Sequence, residues 1–464
     1  MCPPPAAAPR VYIHTLGCPK NEADSRAVAR RLLAAGAGVE SAPGDATHIL
    51  LNTCGFITDA KEESIAAILE ACGDYEDRQV LVMGCLVERY RGELEKGIPE
   101  VAGWFGLMDE ACPDHTLGSG GASASGGASA SPGASASGEF AALLEHLGLK
   151  ERRSSPPALM AASYAYLKIS DGCDQPCAFC AIPSIKGGYH SVDSAHILEE
   201  ADACLDEGAR ELVLVGQDTT VWKDRHLDLR GLIDLLAADD RVRRVRLMYL
   251  QPEHVSDALL RYMASQPKLC DYLDVPFQHA HPEVLRRMGR GGGAAAYLDL
   301  LDRARRLMPD VSVRSAFIVG YPGETERQFE ALLDFVDKAE FDHGGGFVYS
   351  PEEGTPAFAL RPRVKAEVAL ERLNRLTALL LEKAQSKHER HIGARLRVIV
   401  DSLDLEDAGE GISAIGRTTG QAPEVDGVTY VEGDLPGGTR PGDELSVIVS
   451  EAVGYDLIGT IDAS

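Results

Sequence analysis

The stretch LKISDGCDQPCAFCAIPSIKGGY, residues 167–189, contains three cysteines within one short turn. They are Cys173, Cys177 and Cys180, spaced as CxxxCxxC. Iron–sulfur clusters are normally held by four thiolates, so three at this spacing predict a cubane 4Fe–4S cluster with one open iron. The amino and carboxylate groups of S-adenosylmethionine can chelate such an iron, and one electron can then split the sulfonium to release a carbon radical. The stretch therefore predicts radical chemistry and not simple electron transfer.

A structural zinc site is the alternative reading of this turn. Zinc prefers two separated pairs of the CxxC type. No fourth Cys or His lies at a suitable spacing here. We therefore favour the iron–sulfur cluster.

The cysteine turn follows the first strand of a long series in which strands and helices alternate. Six strand-like runs lie at 165–170, 211–216, 244–249, 272–277, 311–320 and 346–350, and helical patterns at 193–207, 325–339 and 364–390 are among those that separate them. This order predicts an open, partial (β/α)6 barrel of the TIM type. Active sites of such folds gather at the C-terminal ends of the strands, which is where the turn lies.

Polar residues at other strand ends are candidates for binding the cofactor. Gln217, with Asp218 beside it, follows the second strand, and Gly320 and Glu324 follow the fifth. The alternative is an ordinary turn or helix cap, because acidic residues and Thr commonly open a helix. We interpret two histidines in the run PFQHAHPE, at 279 and 281, as polar strand-end residues, and we assign no catalytic residue.

The N-terminal segment carries a second set of three cysteines. Strand-like runs at 11–16, 48–53 and 79–84 alternate with helical patterns at 22–35 and 59–72, which predicts a parallel α/β domain of at least three strands. Cys18, Cys54 and Cys85 each follow one of these strands, and the carboxyl ends of parallel strands meet at one edge. Neighbouring glycines at 17, 55 and 84 allow close backbone approach. We predict a second 4Fe–4S cluster here; the alternative is three buried apolar cysteines.

From residue 393 the pattern changes to short alternating strands separated by Gly, Asp and Pro, which predicts a small antiparallel β-barrel. This segment holds four arginines, no lysine and 14 acidic residues. The predicted domains are 10–117 for the first α/β domain, 118–138 for a flexible Gly/Ala/Ser insert, 139–158 for a connector, 159–392 for the partial barrel and 393–464 for the small barrel.

The composition narrows the possible partners. The 464 residues carry a net charge of −25, which argues against strong binding to RNA and favours a basic partner or none. The N-terminal Pro/Ala-rich segment does not read as a signal peptide, and no apolar run reaches membrane-spanning length. We expect a cytoplasmic protein without membrane contact, whose cysteines are metal ligands or buried thiols.

Longer strings within these segments extend the comparison to a known family. They include LGCPKNEADS at 16–25, NTCGFI at 52–57, GQDTT at 216–220, LDVPFQH at 273–279, FIVGYPGETE at 317–326, YSPEEGTPA at 349–357 and GRTTGQAPEVDG at 416–427. Together with the cysteine turn they resemble the methylthiotransferase family of radical S-adenosylmethionine enzymes. The resemblance covers nearly the whole chain and includes a C-terminal domain like the family's TRAM module.

This resemblance implies a specific reaction. Within the family the chain is similar to the branch that inserts a methylthio group at the β-carbon of an aspartate in small-subunit ribosomal protein number twelve. It implies two 4Fe–4S clusters, the second of which carries or delivers sulfur. One S-adenosylmethionine would supply the radical and another the methyl group, with a flavodoxin or ferredoxin as electron donor. The same chemistry on an adenosine of transfer RNA is the alternative, and an iron–sulfur electron-transfer protein without a substrate is the third possibility.

Overall fold

The protein is described by a computed structural model that covers residues 8–108, 136–151, 162–403 and 411–462. The chain divides into two compact units. The first unit contains Met1–Leu159 and Ala181–Val192, and the second contains Met160–Cys180 and Asp193–Ser464.

The described strands and helices follow in chain order. The strands are β1 Arg10–Thr15, β2 Gly38–Glu40, β3 His48–Thr53, β4 Gln79–Gly84, β5 Gly103–Trp104, β6 Tyr164–Lys168, β7 Ser170–Asp171, β8 His190–Ser191, β9 Glu211–Val215, β10 Arg244–Leu247, β11 Tyr272–Asp274, β12 Ser312–Val319, β13 His343–Val348, β14 Arg395–Ser402, β15 Ile412–Arg417, β16 Thr429–Glu432, β17 Glu444–Val453 and β18 Asp456–Ile461. The helices are α1 Pro19–Ala35, α2 Thr58–Asp74, α3 Cys85–Gly97, α4 Ala136–His146, α5 Ile182–Lys186, α6 Ser194–Asp206, α7 Leu229–Ala237, α8 Asp257–Ser265, α9 Pro282–Arg287, α10 Ala294–Leu307, α11 Glu326–Ala339 and α12 Ala366–Glu389.

The first unit is built on a five-stranded parallel sheet in the order β2-β1-β3-β4-β5. Side chains alternate between its two faces, as the pleat requires. Leu50 and Leu81 pack on one face with α1 and α4, whereas Leu51 and Val82 pack on the other with α2 and α3. The sequence predicted β1, β3 and β4; the structure adds β2 and β5, which have only three and two residues.

The second unit contains six parallel strands in two short sheets, ordered β10-β9-β6 and β11-β12-β13. A parallel bridge between Val245 and Leu269 links them. The spatial order therefore follows the chain order, as in the partial barrel that the sequence predicted.

The last barrel strand begins three residues before the start that the sequence predicted. β13 starts at His343 and includes Gly344 and Gly345, which lie before the predicted start. α12 packs so closely on this strand that a Cβ at Gly344 would lie 2.6 Å from Leu380, and one at Gly346 would lie 2.7 Å from Leu373. Gly344 and Gly346 are therefore required by helix–strand packing.

The C-terminal domain is a closed five-stranded barrel in the order β14-β15-β16-β18-β17. Its neighbouring strands pair antiparallel, as predicted, except β16 and β18, which pair in parallel. The turn after β17 feeds β18 back between β17 and β16, which closes the barrel.

The C-terminal domain packs against the N-terminal ends of the barrel strands through buried charges. Glu211 at the start of β9 accepts from Arg246 at 2.6 Å and from Arg417 of β15 at 2.9 Å. Arg417 also donates to Asp401 at 2.7 Å. Burial alone would raise the pKa of Glu211, but the charges of Arg246, Arg417 and Arg244 lower it to about 2. The two domains of this unit are therefore joined by an ionised network on the face opposite the cysteine turn.

The predicted domain borders need two changes. The connector predicted at 139–158 begins inside α4, whose Phe140, Leu143 and Leu144 belong to the core of the first unit. The same helix includes the last residues of the predicted insert, and the rest of that insert, 118–135, lies outside the described residues. Ala181–Val192, predicted as part of the barrel, also belongs to the first unit.

Among the residues that the structure describes, no helix is both long and apolar enough to cross a membrane.

Candidate functional site

The cysteine turn lies at the C-terminal end of the barrel strands and is held on both sides by backbone hydrogen bonds. The N–H of Ala178 donates to the carbonyl of Met288 at 2.8 Å, and the N–H of Ala357 donates to the carbonyl of Ala178 at 2.8 Å. Within the turn, the N–H of Cys180 donates to the carbonyl of Cys177 at 3.2 Å. The backbone that carries the three thiols is therefore fixed by neighbouring segments.

Gly289 allows this packing. It has a φ of +74°, a left-handed conformation that favours glycine. A Cβ at this position would overlap the carbonyl oxygen of Pro176 and lie 3.1 Å from its carbon. Only glycine fits between α9 and the turn.

A buried arginine faces the thiols. Arg290 Nη1 lies 3.9 Å from Cys177 Sγ, and its Nη2 donates to Gln251 Oε1 at 2.7 Å. Glu253 lies 3.7 Å from the same guanidinium, whose side chain is only 4% exposed. Burial raises the pKa of Cys177, and the charge of Arg290 opposes that rise. This cation stabilises negative charge at the turn.

The second strand end, which follows β9, joins this layer. Gln217 Nε2 donates to Asp171 Oδ1 at 2.9 Å, and its Oε1 has no hydrogen-bond partner among the described residues although it is buried. Gln251 Nε2 reaches the carbonyl of Gln217 at 3.4 Å. A buried carbonyl oxygen without a partner is costly, so the Oε1 of Gln217 is an acceptor available to a ligand.

The fifth strand end is closed by a buried carboxylate. Glu324 Oε2 accepts from the N–H groups of Gly320 and Tyr321, the latter at 3.1 Å. Its side chain is fully buried, with Arg372 at 3.5 Å and His279 at 3.5 Å. The helix cap is Thr325, which forms a capping box with Gln328. Glu324 is therefore not a helix cap, and it holds the loop that carries Gly320.

The two histidines after β11 have local partners. His279 Nδ1 accepts from the N–H groups of Ala280 and His281 at 2.9 and 3.0 Å, and burial lowers the pKa of this imidazole. His281 caps α9 by accepting from the N–H of Glu283 at 3.3 Å. Both observations agree with strand-end residues of structural function.

In the first unit the three predicted cysteines lie at one edge of the sheet. Cys18 precedes α1, Cys54 follows β3 and Cys85 begins α3. A Cβ at Gly17 would lie 2.8 Å from Cys54 Cβ, and one at Gly55 would lie 2.8 Å from the carbonyl oxygen of Cys85. The three loops therefore touch one another, which requires the glycines that the sequence singled out.

The thiols of this set influence one another electrostatically. Burial raises the pKa of Cys54 and raises that of Cys85 to about 12, and in each case a neighbouring thiol adds to the rise. The ammonium of Lys186, whose side chain is 3% exposed and lies 3.5 Å from Asp24, opposes the shift at Cys85. Thiolates are the soft ligands that hold iron–sulfur clusters. Three converging thiols beside the buried ammonium of Lys186 are therefore suited to a negatively charged cluster of this kind.

Five cysteines do not belong to either set. Cys204 and Cys270 are buried, and Cys72 is half-buried at the end of α2. Cys2 and Cys112 lie outside the described residues. Across the described ranges, no group of three or more His, Cys, Asp or Glu side chains is arranged to hold a single metal ion.

Some residues of the site were missed by sequence reasoning. Arg290, Gln251 and His254 were not among the candidates, although the rule that sites gather at strand ends could have found the last two, which follow β10. Arg290 precedes a glycine run at 291–293 that carried too weak a signal to be interpreted.

Comparison with protein families accounts for all three domains. The Radical SAM superfamily matches residues 167–336, Uncharacterized protein family UPF0004 matches 10–106, and the TRAM domain matches 392–461. Among the relatives is the "Ribosomal protein uS12 methylthiotransferase RimO" of Anaeromyxobacter sp. (strain K), which is 39% identical over 98% of this chain and 94% of its own. The proteins of the same name from Thermotoga maritima and Aquifex aeolicus are 38% and 37% identical over 97% of this chain and 100% and 96% of theirs.

The chain belongs to the RimO family of methylthiotransferases. It is a transferase of the radical S-adenosylmethionine type, as its cysteine turn predicted.

Solved structures support the fold. The radical S-adenosylmethionine methyltransferase TsrM from Kitasatospora setae, with tryptophan substrate and a cofactor analogue bound, superposes with a TM-score of 0.53 at 12% identity, covering 81% of this chain and 89% of that one. The same enzyme with cobalamin and a [4Fe-4S] cluster bound gives 0.51 at 13% identity, covering 75% and 77%. At this identity the likeness concerns the fold alone.

Proposed function

We propose that this chain inserts a methylthio group at the β-carbon of an aspartate in ribosomal protein uS12. The observation that carries the proposal is the full-length relationship to uS12 methylthiotransferases, joined to two separate sets of three cysteines at strand ends. One S-adenosylmethionine would be the radical source and a second the methyl donor.

Cys173, Cys177 and Cys180 are the proposed ligands of the radical-generating 4Fe–4S cluster. When bound, that cluster supplies the electron that cleaves S-adenosylmethionine and leaves the fourth iron for its amino and carboxylate groups. The chain holds the turn rigid through Met288 and Ala357, and it places Arg290 where a guanidinium offsets negative charge. The Arg290 side chain is only 4% exposed, and a charge interaction is stronger where water is excluded.

The proposed cofactor contacts differ in kind. Gln217 offers a buried, unpartnered acceptor for a donor group of the cofactor. Gly320 brings bare backbone to the fifth strand end, with a φ of +73°. Glu324 has its carboxylate engaged by backbone N–H groups, so we now give it a positioning role and no direct contact with the cofactor.

Cys18, Cys54 and Cys85 are the proposed ligands of the second 4Fe–4S cluster. When bound, it would carry the sulfur that is methylated and transferred. The residues of the first unit supply a buried pocket edge, with 8% exposure for Cys54 and 6% for Cys85, and the cation of Lys186.

The substrate assignment rests on the relatives and on charge. A ribosomal protein rich in Lys and Arg suits a chain with a net charge of −25, whereas transfer RNA is itself an anion. The acidic C-terminal domain would contact the basic protein. A flavodoxin- or ferredoxin-type donor, a cytoplasmic location and the absence of membrane contact belong to the same proposal.

The test is an anaerobic reaction of the reconstituted enzyme with S-adenosylmethionine, a reductant and either uS12 or unmodified transfer RNA. We expect a methylthio group on one aspartate of uS12 by mass spectrometry and none in digested transfer RNA. Modified adenosine with unmodified uS12 would establish the alternative substrate. If neither mixture cleaves S-adenosylmethionine, the result would instead support an electron-transfer protein without a substrate.

A further inference from the structure

We propose that His254 binds the side-chain carboxylate of the substrate aspartate and thereby selects aspartate over its neutral amide analogue. This inference rests on the function proposed above. His254 lies in the short 3-10 helix Pro252–His254 that follows β10, on the same rim as the cysteine turn.

The imidazole is oriented by a buried carboxylate. His254 Nδ1 lies 3.1 Å from Asp218 Oδ2, and Asp218 is only 2% exposed. The other oxygen of Asp218 accepts from the hydroxyl of Thr220 and from its N–H at 3.1 Å. The Thr220 hydroxyl also accepts from the N–H of Gln251 at 3.2 Å. The pair is therefore fixed by a network that spans the ends of β9 and β10.

The pair is close to the cysteine turn. The negative charge of Asp218 contributes to the raised pKa of Cys173, after the larger effect of burial. Glu253, the residue before His254, lies 3.7 Å from Arg290, which contacts Cys177. The segment 251–254 therefore borders the site where the hydrogen atom must be removed.

The role of the imidazole depends on which of its two nitrogens donate a hydrogen bond. An ionised carboxylate only accepts, so Nδ1 carries the proton that faces Asp218. An imidazolium donates from both ring nitrogens, so His254 in that form can bridge Asp218 at Nδ1 and an incoming carboxylate at Nε2. A neutral amide group at the same place offers no such charge. The arrangement therefore discriminates between aspartate and asparagine.

His254 and Arg290 differ in how far their side chains are exposed to solvent. The side chain of His254 is 35% exposed, whereas that of Arg290 is 4% exposed and already bound to Gln251. Arg290 serves the turn, and His254 can reach a group that enters from solvent.

The experiment compares binding of two forms of uS12, one with the modified aspartate and one with asparagine at that position. Holoenzyme with both clusters and S-adenosylmethionine is used without reductant, so that nothing turns over. The variants are H254Q, which keeps a polar side chain of similar size but cannot become a cation, and H226Q, a matched change at an exposed histidine elsewhere in the same unit. Affinity is measured by fluorescence anisotropy.

We expect H254Q to weaken binding of the aspartate form by about tenfold, the lower range for losing a charged hydrogen-bond partner. Binding of the asparagine form should be equally weak for wild type and H254Q, and H226Q should match wild type with both. Equal losses for both forms in H254Q, or no loss, would overturn the role of His254. Failure of wild type itself to bind aspartate-containing uS12 would instead contradict the proposed function, and the inference with it.

Discussion

A methyl group at position 289 should remove one cluster and leave the other. Gly289 has a φ of +74°, and a non-glycine residue there costs about 1–2 kcal/mol. Its Cβ would also overlap the Pro176 carbonyl oxygen, and forcing an added carbon into packed structure costs about 1–3 kcal/mol more. The turn that carries Cys173, Cys177 and Cys180 must move to relieve this overlap.

The assay is iron and sulfide content after anaerobic reconstitution, with electron paramagnetic resonance of the reduced protein. We expect wild type to hold about eight irons per chain and G289A about four, because the first unit keeps its own cluster. Production of 5′-deoxyadenosine should fall with the lost iron.

G291A is the matched control for this change. A Cβ at Gly291, two residues away, meets nothing within 4 Å, so G291A should behave as wild type. Fluorescence of Trp222, which is buried in the same unit, checks that G289A still folds. If G289A folds, holds full iron and cleaves S-adenosylmethionine normally, the cysteine turn does not require glycine at position 289.

Three further predictions concern the other parts of the molecule. Alanine at all three cysteines of the first unit should leave cleavage of S-adenosylmethionine intact and abolish methylthio transfer, and methylthiolated product from this variant would rule out sulfur delivery by Cys18, Cys54 and Cys85. Because Glu211 has a pKa lowered from 4.5 to about 2, it contributes about 3 kcal/mol above pH 4.5, which is lost as pH falls towards 2. E211Q should therefore lower the unfolding free energy at pH 7 by that amount in a denaturant titration, and by less at pH 3. The control is E330Q, which removes one partner of a half-exposed ion pair and should cost less than about 1 kcal/mol in the same titration. Reversing exposed Asp434 and Glu451 to Lys should weaken uS12 binding at low salt, an effect that should fade as the Debye length falls well below about 10 Å; unchanged affinity would remove the charge argument.

Not every acidic residue of the C-terminal domain is suitable for this charge reversal. Asp401 is unsuitable for such a reversal, because it bonds Arg417 at 2.7 Å and belongs to the buried network between the two domains. Its reversal would disturb domain packing as well as surface charge. Residues 404–410, which include four further acidic residues, lie outside the described residues.

The fold could be predicted from the sequence where the periodic pattern was long. Runs of apolar residues followed by helical patterns identified β3, β4 and β9 within a residue of their ends. β2 and β5 are too short to carry a period. The predicted start of β13 left out Gly344 and Gly345, because glycine is depleted in strands; the reason for glycine at 344 and 346 is the close packing of α12, which only tertiary structure reveals. α4 was missed because it borders a Gly/Ala/Ser run.

The site could be predicted as far as the rule for strand ends reaches. The rule predicts Cys18, Cys54 and Cys85 at one sheet edge and Gln217 at the strand ends near the cysteine turn, and the structure has them there. It could not separate Glu324 from a helix cap, because Glu and Thr are adjacent and either can open a helix. Arg290 reaches the thiols only because α9 turns its C-terminal end towards Pro176, a contact that is long-range in sequence.

If this chain methylthiolates uS12 by radical chemistry, a gene deletion complemented with defined variants should show it in cells. Intact uS12 would be purified from deleted cells carrying the wild-type gene, a variant with alanine at Cys173, Cys177 and Cys180, or an empty vector, and analysed by mass spectrometry. We expect one methylthio group on uS12 with the wild-type gene alone. Modified uS12 with the triple variant, or unmodified uS12 with the wild-type gene, would contradict it.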